Sequence, residues 1–246
     1  DPNMNAAFDH FATWLTTPLG RYLAASELAW FERSAVDIFG YKALQLELPQ
    51  IDCLRSNRMP WRLQAGEAAG TQLKCCAHQL PFAEQSLDLI VLPHVLDFSP
   101  DPHAVLRECE RVLRPEGRLL ISGFNPWSLW GLRRLKPSQD MPWQGHFVAL
   151  QRLKDWLNVL DLQANDGEFL CYRPPTQRAG WLEKSRFLEQ AGDRLWPAGG
   201  GVYCLEVVKR VRGMNIIEPQ WRTVPVPNSA AVVEKMQQQA KKDRCK

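Results

Sequence analysis

The sequence contains no apolar run approaching the ~20 residues that a membrane-spanning helix requires, and its first residues show no signal-peptide pattern. It also lacks paired cysteine chemistry. Cys53, Cys75, Cys76, Cys109, Cys171, Cys204 and Cys245 are seven in number and never spaced as C-x-x-C. Neither a disulfide framework nor a metal site is expected from them. Five lie among apolar neighbours, where a reduced cysteine behaves as a small hydrophobe. A reducing, cytoplasmic setting is therefore expected. Strong charge is missing too. The formal net charge is +3, and the stretch from Arg222 to Lys246 holds six Lys/Arg against Glu234 and Asp243, leaving about −1 for the rest. A body without a basic stripe argues against a specific nucleic-acid partner. The basic end, Lys235 to Lys246, is expected to be solvated charge. No internal repeat is visible.

What is present fits one large core. The chain has 246 residues, 45% of them apolar and 23% charged, with ten tryptophans. Phe8 to Phe39 has helical apolar spacing, broken near Pro18–Gly20. Ala43-Leu-Gln-Leu-Glu-Leu48 alternates as a strand and stops at Pro49. Further strands are predicted at Trp61 to Gln64 and Thr71 to Ala77, with Gly66 to Gly70 as a turn or short helix. Leu87-Asp-Leu-Ile-Val-Leu92 is apolar enough to be buried on both faces. Asp101 and Pro102 then supply an N-cap and a first-turn proline. Val105, Leu106, Cys109, Val112 and Leu113 make one helical stripe, with Arg107, Glu108, Glu110 and Arg111 opposite. Pro115 to Gly117 ends that helix, and Arg118 to Ser122 is the next strand. Strand, helix and strand at this spacing imply parallel pairing with a right-handed crossover.

Farther on, Gln151 to Leu162 reads as an amphipathic helix. Glu168 to Tyr172 and Val202 to Val208 read as late strands around a helical insert at Gly180 to Leu195. The expected organisation is N-terminal helices over 1–40 packed on the core, an α/β domain over 41–211, and an extended, disordered basic tail over 212–246. The expected fold class is α/β, a doubly wound Rossmann-like sheet of about seven strands, mostly parallel.

Leu80-Pro-Phe-Ala-Glu-Gln-Ser-Leu-Asp-Leu-Ile-Val91 and Pro100-Asp-Pro-His-Ala-Val-Leu-Arg-Glu-Cys-Glu-Arg-Val-Leu-Arg-Pro-Glu-Gly-Arg-Leu-Leu-Ile121 resemble the methyltransferase type 11 family. That family reads L-P-F, an acidic turn and F-D-x-V, then D-P-x-x-x-L-x-E-x-x-R-V-L-x-P-G-G. Ser122-Gly-Phe-Asn-Pro126 with Trp130-Gly-Leu-Arg-Arg134 is similar to its proteobacterial, YafS-type branch. The resemblance implies a class I S-adenosylmethionine-dependent methyltransferase. Most matched positions are core and turn residues, with Arg111 and Glu108 read as a solvated helix face, so they speak for the fold before the reaction.

The resemblance also implies where S-adenosylmethionine would sit. After the first strand the family has an acid and a glycine-rich turn that admits the cofactor closely. Here Gln45 takes the place of the acid, Leu46 follows, and Glu47 and Pro49 stand where glycines belong. Cys76 replaces the Asp that receives the adenine amino group, with Ala77 beside it, and a thiol accepts weakly. Glu67 is the candidate for the ribose hydroxyls, and Leu92 and Pro93 close the set. An edge plugged by Leu48, Pro49 and the shortened crossover would remove the enzyme reading.

His94, directly after the fourth strand, is the candidate base, with Asp97 one turn on to orient it; the alternative is that His94 only caps the loop. Asn125, Trp127 and Trp130 belong to a greasy segment with a cationic rim of Arg133, Arg134 and Lys136. It is read as a lid over a small, apolar substrate, with transient membrane-surface contact as a further possibility, or else as a cap on the open end of the core. The expected function is methylation of a small molecule; the alternative is a catalytically silent scaffold working through protein contacts.

Overall fold

The structure, a computed structural model, describes residues 2–134, 141–185 and 187–210. The expected tail, 212–246, and Lys136 of the lid segment lie outside the described residues.

Helix α1 (Pro2–Trp14) ends three residues before Thr17, whose hydroxyl accepts the Gly20 amide at 3.1 Å and starts α2 (Pro18–Val36) behind a proline. Strand β1 (Lys42–Leu46) is shorter than the alternation suggested, because Glu47 and Leu48 turn left-handed at φ 60° and 45°. Strands β2 (Trp61–Gly66) and β3 (Leu73–Lys74) follow, β3 being a fragment of the predicted 71–77. Next come β4 (Leu87–Pro93), the short α3 (Val95–Phe98), α4 (Pro102–Val112) and β5 (Leu113–Phe124). Asp101 caps α4 by accepting the Ala104 amide, as the sequence indicated. The chain then forms α5 (Leu129–Arg133), α6 (Leu150–Val159), β6 (Leu162–Leu170), α7 (Ala179–Lys184), α8 (Phe187–Leu195) and β7 (Val202–Lys209).

Among the described residues seven strands form one sheet in the order β3-β2-β1-β4-β5-β7-β6. The first five are parallel, and β7 runs antiparallel to both β5 and β6. This bears out the doubly wound, mostly parallel expectation. Because β4 alternates, Leu89 and Val91 join a core with α1 and α2, while Ile90 and Leu92 join a second core under α4 and α6. Strand β6 begins six residues before the predicted Glu168. Its Gln163, Asn165 and Asp166 are polar because it is the open edge of the sheet.

The chain order reverses between β1 and β4, which places a crevice at the carboxyl ends of those strands. The polar positions of the matched segment hold this frame together. Asp88 accepts the amides of Tyr41 and Lys42 at 2.8 and 2.9 Å, fixing the entry to β1. Glu108 accepts the Leu80 amide, while Arg111 donates to the Leu80 and Phe82 carbonyls and to Glu108. These two are a clamp between α4 and the Leu80-Pro81-Phe82 turn, more than a solvated face. Arg111→Ala is expected to cost about 2 kcal/mol, the ordinary worth of charged hydrogen bonds left half made. In urea this appears as a lower midpoint at unchanged m; an unaltered midpoint contradicts the clamp.

Candidate functional site

At the carboxyl edge of β1 the chain fills its own crevice. The Gln45 carboxamide is fully buried; its oxygen accepts the Cys53 amide at 2.9 Å, and its nitrogen donates to the carbonyls of Leu48 and Ile51 at 3.0 and 2.8 Å. That knot folds residues 47–53 inward, so that Leu48, Ile51 and Cys53 join the core against α1 and α2. Glu47 is also fully buried, and its carboxylate accepts the amides of Glu67 and Ala68 at 2.8 and 2.9 Å. Burial pushes the Glu47 pKa up against the pull of those two amides. Gly66, at φ +147°, makes room for it, since a Cβ there would lie 2.5 Å from the carboxylate.

The residues expected to hold the cofactor are therefore brought to one place, but mostly covered. Leu46, Ala77, Leu92 and Pro93 are buried. Glu67 and Cys76 remain at the rim, the thiol donating to the Glu67 carboxylate at 2.6 Å. Pro49 is half-buried. Helix α1 crosses the same edge. Phe11 meets the rings of His94, Phe98 and Phe124 at 5.2, 4.9 and 6.0 Å, and at the other end Asp9 reaches the Ala69 amide.

His94 stands at the end of β4 in a left-handed conformation, φ 53°, with no exposed surface. Its Nδ1 donates to Asp97 Oδ2 at 2.8 Å, and that oxygen also accepts the Phe124 amide at 3.0 Å. Its Nε2 lies 2.8 Å from Glu27 Oε1 of α2, an ion contact without hydrogen-bond geometry. Burial pulls the imidazole pKa down, but the two carboxylates, Glu27 foremost, outweigh it and hold it up at about 9. Asp97 is pushed up, chiefly by its own burial. In this arrangement His94 joins α2 to the sheet and faces no substrate.

Residues 50–121 match the methyltransferase domain family. Of curated proteins, YafS of Escherichia coli (strain K12) is 45% identical over 86 residues, covering 34% of this chain and 36% of that protein. A ubiquinone biosynthesis O-methyltransferase of Xanthomonas oryzae pv. oryzae is 32% identical over 108 residues, 39% of this chain and 45% of its own. The matches thus span less than half the length of these relatives. In structure, a SAM-dependent methyltransferase, possible histamine N-methyltransferase, from Thermotoga maritima superposes with a TM-score of 0.57 at 15% identity, over 78% of this chain and 92% of that one.

In sequence the middle of the chain is thus similar to methyltransferases, and the sheet has the class I methyltransferase architecture. The matched segment contains β2, β3, β4, α3, α4 and most of β5, so it supplies the β4 side of the crevice, while β1 and Gln45 to Pro49 precede it.

The lid residues divide. Trp130 is 1% exposed, its Nε1 donating to the Arg173 carbonyl at 2.8 Å, and it caps the core. Asn125 is buried as well, tying the end of β5 to the Ala198 and Gly200 carbonyls. Trp127 alone of the three is open, at 76% exposed. The sequence reading missed Glu27. Its signal was an acid on the same helical stripe as Leu23, Trp30 and Phe31, a place where a carboxylate needs a buried partner. No helix among the described residues is long and apolar enough to cross a membrane.

His94 binds a proton more tightly folded than unfolded, so its stabilisation is complete below pH 6.5 and fades as pH rises towards 9. At 1.36 kcal/mol per unit the loss across that window is about 3 kcal/mol. The melting temperature is expected to fall from pH 6.5 to 9, and Glu27→Gln to flatten the slope. Parallel pH profiles for the two proteins would contradict the assignment.

Proposed function

We propose that the chain is an S-adenosylmethionine-dependent methyltransferase acting on a small molecule with an apolar body, in a cytoplasmic setting. The observation that carries this reading is the β3-β2-β1-β4-β5-β7-β6 order joined to a methyltransferase match that runs from β2 into β5. The O-methyltransferase among the relatives supports a small-molecule acceptor.

The residues at the carboxyl edge do not fit the cofactor as they stand: the edge is filled by Leu48 and its neighbours, so the enzyme reading applies only to a form in which that edge opens. Leu46, Glu47, Leu48 and His94 have no exposed surface, and the amides that follow β2 are already taken by the Glu47 carboxylate. No transfer step is therefore assigned to any of them. Entry of a nucleoside needs α1 and the 47–53 segment to withdraw, and the apparent affinity falls by the fraction of molecules so opened. A second reading has its own support. The Gln45 knot and the buried Glu47 favour a domain that keeps the architecture and works through protein contacts.

Thermal shift and calorimetry with S-adenosylhomocysteine separate the two. Saturable binding that raises the melting temperature is expected. Phe11→Ala, which loosens α1 at a cost of about 3–5 kcal/mol, is expected to tighten that binding by favouring the open form. Silence of both proteins at millimolar ligand overturns the enzyme reading and leaves the scaffold.

A further inference from the structure

A cavity of about 430 Å³ opens beside the carboxyl ends of β4 and β5, outside the filled crevice. It lies between the loop that leads into α4, the chain after β5, and the start of α6. Its working surface is made by His103, Trp127, Arg134, His146, Arg152 and Trp156. The size is that of ordinary small-ligand sites, which run from roughly 300 to 1,000 Å³. Among the described residues no carboxylate lines it.

Both guanidiniums stand over aromatic rings. Arg134 lies over Phe147 at 5.4 Å and Arg152 over Trp156 at 5.3 Å. The His103 ring packs 3.9 Å from the same indole. A ring face offers no hydrogen-bond oxygen, so a guanidinium in such a cation–π contact still has N–H donors for another partner. Among the described residues no carboxylate pairs with either arginine. Trp127 is 76% exposed at the mouth, a large apolar surface left in water. The α6 amides add to the same polarity, since its N-cap is Ala149, which has no side chain to satisfy them.

We propose that this cavity binds a small organic anion, a carboxylate or phosphate monoester on an apolar body. The anionic group is held by Arg134 and Arg152 and the body by Trp127 and Trp156. Fixed donors supply orientation, and the indoles supply most of the buried area. The site needs no cofactor, so it stands or falls apart from the methyl-transfer reading.

The test is a fluorescence titration of the full chain with 1-anilinonaphthalene-8-sulfonate, an anion on a flat apolar body, beside its neutral twin N-phenyl-1-naphthylamine. The sulfonate is expected to bind one to one and about tenfold more tightly than the twin. Arg134→Gln and Arg152→Gln are each expected to weaken the sulfonate by about five- to tenfold and the twin by less than about twofold, with the fold intact by circular dichroism. Displacement of the dye by octyl phosphate, by octanoate, or by both supports the site and names the anion. Equal binding of the two dyes, unaltered affinity in both variants, or displacement by octanol as effective as by the anions overturns it.

Discussion

An imidazole with no access to water, set between two carboxylates, is the constraint on which the rest of this structure depends. Glu27 comes from α2, Asp97 from α3, and His94 from the position that joins β4 to α3. Removing either acid would leave a buried charge without its partner, which typically costs about 3–5 kcal/mol. The helices that carry and surround Glu27 are thus held where they are. Phe11 of α1 then packs on the His94 and Phe124 rings, and the carboxyl edge of the sheet is roofed by aromatic side chains rather than left open.

The floor beneath that roof is closed by the same economy of hydrogen bonds. A glycine-rich turn would leave backbone amides for a ligand. Here Gln45 and Glu47 satisfy the turn and the chain after β2 from within. The left-handed Glu47 and Leu48 are the cost of turning sharply without glycine, and the burial of Leu48 offsets it. The strand order of class I methyltransferases is kept, without helices between β1, β2 and β3, while the ligand space at its carboxyl edge is occupied by the chain's own side chains. The open cavity lies a few residues away, where arginines rest on aromatic rings.

Much of the frame was legible in the sequence because single elements announce themselves. The apolar run at Leu87–Leu92 and the stripe through Val105, Cys109 and Val112 each carry one unambiguous period, and both elements appear where expected. Alternation misled at Leu48, since Leu44, Leu46 and Leu48 share a period that the backbone abandons after Leu46. Strand β6 escaped because an edge strand buries little and so resembles a loop. The candidate site was legible in part. The substitutions at Gln45 and Glu47 marked the turn as altered, but that these residues would fill it depends on contacts with Cys53 and Ala68. The anion-binding cavity draws on segments more than fifty residues apart, from Ser99 to Trp156, and no local pattern encodes it.

Amide hydrogen exchange tests the closed edge most directly, because the amides of Glu47, Cys53, Glu67 and Ala68 all have named acceptors inside it. A closed, pinned edge requires all four to exchange only through openings that approach global unfolding in free energy, together with the Phe124 amide bound to Asp97. Exchange of the four within seconds, while the β4 and β5 amides stay protected, would contradict it and describe an edge that stands open.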